Sequence, residues 1–144
     1  MAHPAFARVL LTGIAVAQGL ATLKIDLHRS HATNPLWPSH ARFHLVWQVL
    51  NLVLLAFAEV ALVWWSGPLE QARFYLAACL IGITFVGFWG ALATMRLYAG
   101  ALFDPNGILP LKVKIGEKIL QVEMNMVAVL CGSIALLIAV CIYR

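Results

Sequence analysis

His44-Leu-Val-Trp-Gln-Val-Leu-Asn-Leu-Val-Leu-Leu-Ala-Phe-Ala-Glu-Val-Ala-Leu-Val-Trp-Trp65 is apolar for about six helical turns. Only Gln48, Asn51 and Glu59 interrupt it after the opening histidine. A bilayer core takes roughly 20 apolar residues per helix, so this stretch predicts a membrane span. Three more stretches qualify, at 5–23, 72–97 and 119–143. Four spans occupy nearly all of the 144 residues, which predicts a single domain over 1–144: an all-α, integral membrane four-helix bundle.

Composition agrees. With 62% hydrophobic and 11% charged residues and a mean hydropathy of +0.88, too little polar surface exists to cover a soluble globule. The connections carry turn chemistry: Ser66-Gly-Pro68 after the second span, and Asp104-Pro-Asn-Gly107 followed by Pro110 after the third. The formal charge of +4 is spread over loops rather than gathered on a face, which excludes a nucleic-acid surface. It reads instead as an orientation signal. Lys24, Arg29, Arg42, Arg96, Lys112, Lys114 and Lys118 flank the first and third connections, against Arg8, Arg73 and Arg144 on the other side. The positive-inside rule therefore predicts both termini outside and the first connection in the cytoplasm. A cleaved signal peptide ending near Ala17 is the rival reading of the N-terminus; it has a short apolar run and would leave three spans.

Between the first two spans lies a polar knot, Asp26-Leu-His-Arg-Ser-His-Ala-Thr-Asn-Pro-Leu-Trp-Pro-Ser-His-Ala-Arg-Phe-His44, holding four of the five histidines. His40 and His44 are one helical turn apart, and Gln48, Asn51 and, off axis, Glu59 continue the stripe into the span. Unpaired amides and carboxyls in hydrocarbon cost several kcal/mol, so the stripe is expected to face the bundle interior. Lys114, Lys118, Gln121 and Asn125 recur at helical spacing and predict a matching stripe at the start of the fourth helix, with Glu123 opposite. Gln18, Thr22 and Asp26 share a face of the first helix. Together these predict a pocket at the cytoplasmic half, wet at its mouth and apolar at its depth.

Acid–base chemistry on a lipophilic molecule suits such a pocket: isomerisation, cyclisation or epoxide opening of a terpenoid, sterol, quinone or acyl chain. His40 and His44 would transfer protons, Glu59 and Glu123 act as buried acids, and Asp26 orient a histidine. Trp37, Trp47, Gln48, Asn51, Asn125 and Gln121 would hold the substrate. No cofactor is required by this reading. An alternative is a metal or redox site, with His28, His31, His40 and His44 as ligands for zinc, iron or copper. The histidines are too few for the several boxes of membrane hydroxylases and desaturases, and no two lie mid-span on different helices, where a haem would sit. The plan of acidic residues in an apolar bundle resembles small membrane sterol isomerases in architecture alone. A third reading is structural: the knot is an interfacial turn with Ser39 as N-cap of the second helix, in an accessory subunit of a membrane complex. Besides membrane lipids and a lipophilic ligand, a homo-oligomer or larger complex is the expected partner.

The remaining features read as structure. Gly82, Gly87, Gly90, Ala91 and Thr94 suit the third helix to close packing, with Arg96 as an interfacial anchor or an anion partner. Trp64 and Trp65 fit an aromatic belt, and Cys79, Cys131 and Cys141 are expected to be small buried hydrophobes within spans.

Overall fold

The computed structural model describes residues 4–103 and 109–143. It is mostly helical, 72%. The helices are α1 (Pro4–Asp26), α2 (Ser39–Trp64), α3 (Glu70–Thr94) and α4 (Met124–Ile142), and a short 3₁₀ turn, Met95–Tyr98, prolongs α3. All four are long and apolar enough to cross a membrane. This makes the chain a multi-pass membrane protein by length and composition. The Asp104-Pro-Asn-Gly107 turn lies outside the described residues.

The fold departs from an all-α bundle in one place. Residues 111–122, expected in part to begin the fourth helix, form an antiparallel hairpin of β1 (Leu111–Ile115) and β2 (Lys118–Val122), with Leu111 opposite Val122 and Ile115 opposite Lys118. The local pattern explains it. Lys112-Val-Lys-Ile alternates with a period of two, and Gly116 turns the chain at φ +62°, a conformation that suits glycine. The fourth helix therefore starts at Met124 rather than Ile119. The supposed stripe of Lys114, Lys118, Gln121 and Asn125 does not exist on one helix, since its first three members sit on strands.

The helices pack in a ring: α1 against α2 and α4, and α3 against α2 and α4, with α1 and α3 also touching. Leu11, Ile14, Val63, Phe74, Ile81, Phe85 and Ala139 belong to the core between them. Close approach occurs where glycine permits it, though not where the sequence suggested. A Cβ at Gly19 would stand 3.2 Å from Ala56 Cβ, and one at Gly132 would fall 2.5 Å from Phe85 Cζ. Thus α1 meets α2, and α4 meets α3, through glycines of α1 and α4. A Cβ at Gly87 or Gly90 of α3 would meet nothing within 4 Å, and Ala91 and Thr94 are exposed. The expected close-packing face of the third helix is thus reduced to Gly82, 3.6 Å from Leu136 by the same measure.

The two ends differ. Where α1 begins and α4 ends, Arg8 pairs with Glu70 and donates to Tyr143 Oη at 3.4 Å. Tyr75 Oη donates to the Tyr143 carbonyl at 3.0 Å, and Trp64 Nε1 donates to Thr12 Oγ1 at 2.8 Å. Phe74 stacks on Tyr143 with ring centroids 3.6 Å apart. All four helices or their immediate flanks are tied there. Arg73 adds bonds to the carbonyls of Trp65, Gly67 and Pro68, closing the α2–α3 connection. The opposite end carries the histidine knot and the hairpin.

Candidate functional site

The knot is a folded turn in its own right. Asp26 ends α1, and its carbonyl accepts from Ala32 N at 3.0 Å. Asn34 is buried and works twice: its Oδ1 accepts from Leu36 N at 3.0 Å, and its Nδ2 donates to the Ser30 carbonyl at 3.3 Å. This is an Asx-type turn, the device by which asparagine replaces a missing backbone partner. Ser30 Oγ bonds to His31 Nδ1 at 2.8 Å, and Trp37 meets the His31 ring edge to face at 5.4 Å. His31 and Trp37 therefore brace the turn. Ser39 is not the cap of α2. Pro38 holds that position at φ −54°, ψ 139°, its carbonyl accepting from Arg42 N at 3.1 Å, and Ser39 is already helical. A proline there fixes the entry angle without supplying a side-chain acceptor.

Of the expected site, the structure brings together His40 and His44. Their Nε2 atoms lie 3.0 Å apart and the rings meet at 87°. One ring must donate and the other accept. Trp47 and Phe43 stand beside His44, at 5.8 and 5.9 Å between centroids. Among the described residues, no three histidine, cysteine, aspartate or glutamate side chains gather in an arrangement that could hold a metal ion. The pair supplies two imidazoles, and His28 and His31 belong to the turn.

The expected direction of the stripe is reversed. His40, His44, Gln48 and Asn51 are all exposed, whereas Val49, Glu59 and Val63 are buried. The bundle buries Val49, Glu59 and Val63 of α2 and leaves Gln48 and Asn51 outside, among exposed Trp47, Leu50 and Leu54. Glu59 consequently parts from the stripe. It lies fifteen residues beyond His44, about 22 Å along a helix axis, and is turned by about 80° from Asn51. It is 1% exposed, and its Oε1 has no hydrogen-bond partner among the described residues. An unpaired buried carboxyl costs stability. Glu59→Leu is therefore expected to strengthen the fold by about 1–3 kcal/mol, read as a higher unfolding midpoint in detergent; a lower midpoint would show that the carboxyl is partnered in the membrane.

The other candidates lie apart from the imidazole pair, and of these Glu123 is buried as expected, at 7% exposure. Glu123 is the N-cap of α4, its Oε2 accepting from Asn125 N at 2.9 Å, so it sits at the helix entrance and not within the span. Asn125 Nδ2 donates to the Leu102 carbonyl at 3.3 Å. Gln121 is exposed on β2 opposite Lys112. Gln18 bonds to Thr84 Oγ1 of α3 at 2.7 Å, and Thr22 to the Gln18 carbonyl. Among the described residues, neither of two cavities collects these groups. A cavity of about 220 Å³ between α3 and the entrance of α4 is lined by Phe88, Leu92, Met95, Tyr98, Leu102 and Asn125 among others; a larger cleft at the tied end is lined by Arg8, Trp64, Glu70, Gln71 and Tyr143. Sequence reasoning missed this tied end, because its partners are scattered from Arg8 to Tyr143 with no spacing in common.

No protein-family model, curated protein or solved structure matches this chain.

Proposed function

We propose that the chain is an assembly subunit of a membrane complex that docks within the bilayer through the outward stripe of α2, its partner being a second copy of itself. The observation that carries this is the exposure of Gln48 and Asn51 along a helix of spanning length. Amides facing hydrocarbon need a partner, and facing helices supply one. The stripe complements itself: amides and neutral imidazoles both donate and accept, no formally charged residue lies on it, and Ala58 allows close approach on the same side. Cysteine scanning tests this in membranes, in a background with Cys79, Cys131 and Cys141 replaced by serine. Asn51→Cys and Ala58→Cys are expected to cross-link two copies and Val49→Cys, on the inner face, to give none. Monomer at all three positions rejects the docking face.

A second reading, acid–base chemistry on a lipophilic molecule, is favoured by the His40–His44 contact. Two imidazoles sharing a proton beside Trp47 form a donor–acceptor relay open to a molecule arriving laterally from the bilayer. Asp26, Glu59 and Glu123 have no part in it. With such a substrate, His40→Ala or His44→Ala alone is expected to remove most turnover and the double variant to cost little more, as groups acting in one unit do. Full turnover in the double variant rejects this reading.

For orientation, the cations supply the argument. Lys24, Arg29, Arg42, Arg96, Lys112, Lys114 and Lys118 gather at the end bearing the knot and hairpin, and Arg8 and Arg73 at the tied end. The knot is therefore assigned to the cytoplasm. Impermeant thiol reagents applied from outside are expected to label Gly67→Cys and spare Arg29→Cys; the opposite pattern inverts the topology.

A further inference from the structure

The hairpin has two unlike faces. In its register Leu111 and Val122, Val113 and Leu120, and Ile115 and Lys118 share one face, while Lys112 and Gln121, and Lys114 and Ile119, share the other. The first is apolar except for Lys118 at its tip, and Leu111, Ile115 and Leu120 are each more than half exposed. Among the described residues, no helix makes more than slight contact with either strand. A two-stranded hairpin alone in water is marginal and needs a surface for its apolar side. Position supplies that surface. Glu123 alone separates β2 from α4, an apolar helix of spanning length, so the hairpin lies where the chain enters the bilayer.

We propose that the 111–122 hairpin is an interfacial anchor that lies on the membrane and binds anionic phospholipid. The apolar face rests at the boundary between headgroups and acyl chains. At that depth phosphates lie level with the hairpin, within reach of Lys112, Lys114 and Lys118, whose stems cover lipid while their ammonium groups stay in the headgroup layer. Three lysines, with Glu117 the one acid in 111–122, complement anionic headgroups and not zwitterionic ones. The anchor also gives α4 a fixed depth of entry.

The test uses the full chain in lipid nanodiscs, with Cys79, Cys131 and Cys141 replaced by serine and a nitroxide at Leu120→Cys or Gln121→Cys. The Leu120 label is expected to be accessible to oxygen and shielded from a water-soluble nickel complex, and the Gln121 label the reverse. A Leu120 label open to the nickel complex overturns the anchor, as does one closed to both quenchers, which means protein covers the face. The headgroup arm compares binding of spin-labelled phosphatidylglycerol and phosphatidylcholine. Lys112→Gln/Lys114→Gln/Lys118→Gln is expected to weaken the preference for phosphatidylglycerol by roughly fivefold per lysine, on the order of 100-fold in all. An unchanged preference in the triple variant overturns the lipid assignment.

Discussion

Phe74→Ala is expected to lower the stability of the bundle by about 3–5 kcal/mol, the range for deleting a buried aromatic ring. Phe74 is 1% exposed and is the largest fully buried side chain. It stacks on Tyr143, whose hydroxyl meets Arg8 and whose carbonyl accepts from Tyr75. Removing the ring leaves a cavity under Tyr143 and loosens the groups that join α1, α3 and the end of α4. Because this chain spans a membrane, the loss is one of packing and hydrogen bonding more than of hydrophobic transfer. Denaturation by increasing detergent fraction, followed by circular dichroism, measures it. Phe57→Ala, at a residue 72% exposed on α2, serves as the control with little change. Equal losses for the two would mean that the tied end does not stabilise the fold.

The second large effect is expected from Gln48→Leu/Asn51→Leu. Interhelical hydrogen bonds in membranes contribute about 0.6 kcal/mol on average and up to about 2 kcal/mol. Two amides from each copy therefore supply about 1–3 kcal/mol, and their loss weakens pairing by roughly 5- to 150-fold. Energy transfer between labelled copies, followed as lipid dilutes the protein, reads the change. The monomer itself should become no less stable, since both positions face away from the core. That combination separates a docking stripe from a buried one: if the stripe supported the bundle, the monomer's unfolding midpoint would fall and pairing would stay the same.

Much of the helical frame was legible, because span length and apolar runs are set by bilayer thickness and leave a coarse signature. The second helix was placed almost to the residue at its far end, where Trp64 closes it. The hairpin was not read, since a run rich in Ile, Leu and Val scores as apolar whichever period it follows; the alternation in Lys112-Val-Lys-Ile and the glycine after it were the available signals. The site was harder. Helical spacing correctly put His40 and His44 on one face and brought their rings into contact. It could not say which face points inward, because that depends on what α1 and α3 offer. The rule that polar groups in a span face the interior gave the wrong direction for His40, Gln48 and Asn51 and the right one for Glu59. The separation arises because α2 packs through Val49, Ala56 and Val63, and Glu59 falls within that buried surface.

The end at which all four helices or their flanks are tied is the natural root for any rocking of the bundle. Arg8, Glu70, Tyr75 and Tyr143 fix the helices near their common root, and a helix of 20 residues reaches about 30 Å beyond it. Were the helices to rock by about 5° at the root, the far tips would move by about 2.6 Å over such a reach. The cavity beside Asn125 and the imidazole pair both lie toward the travelling tips. Any such rocking would be felt least at the tied end and most at the end that carries the knot and the hairpin.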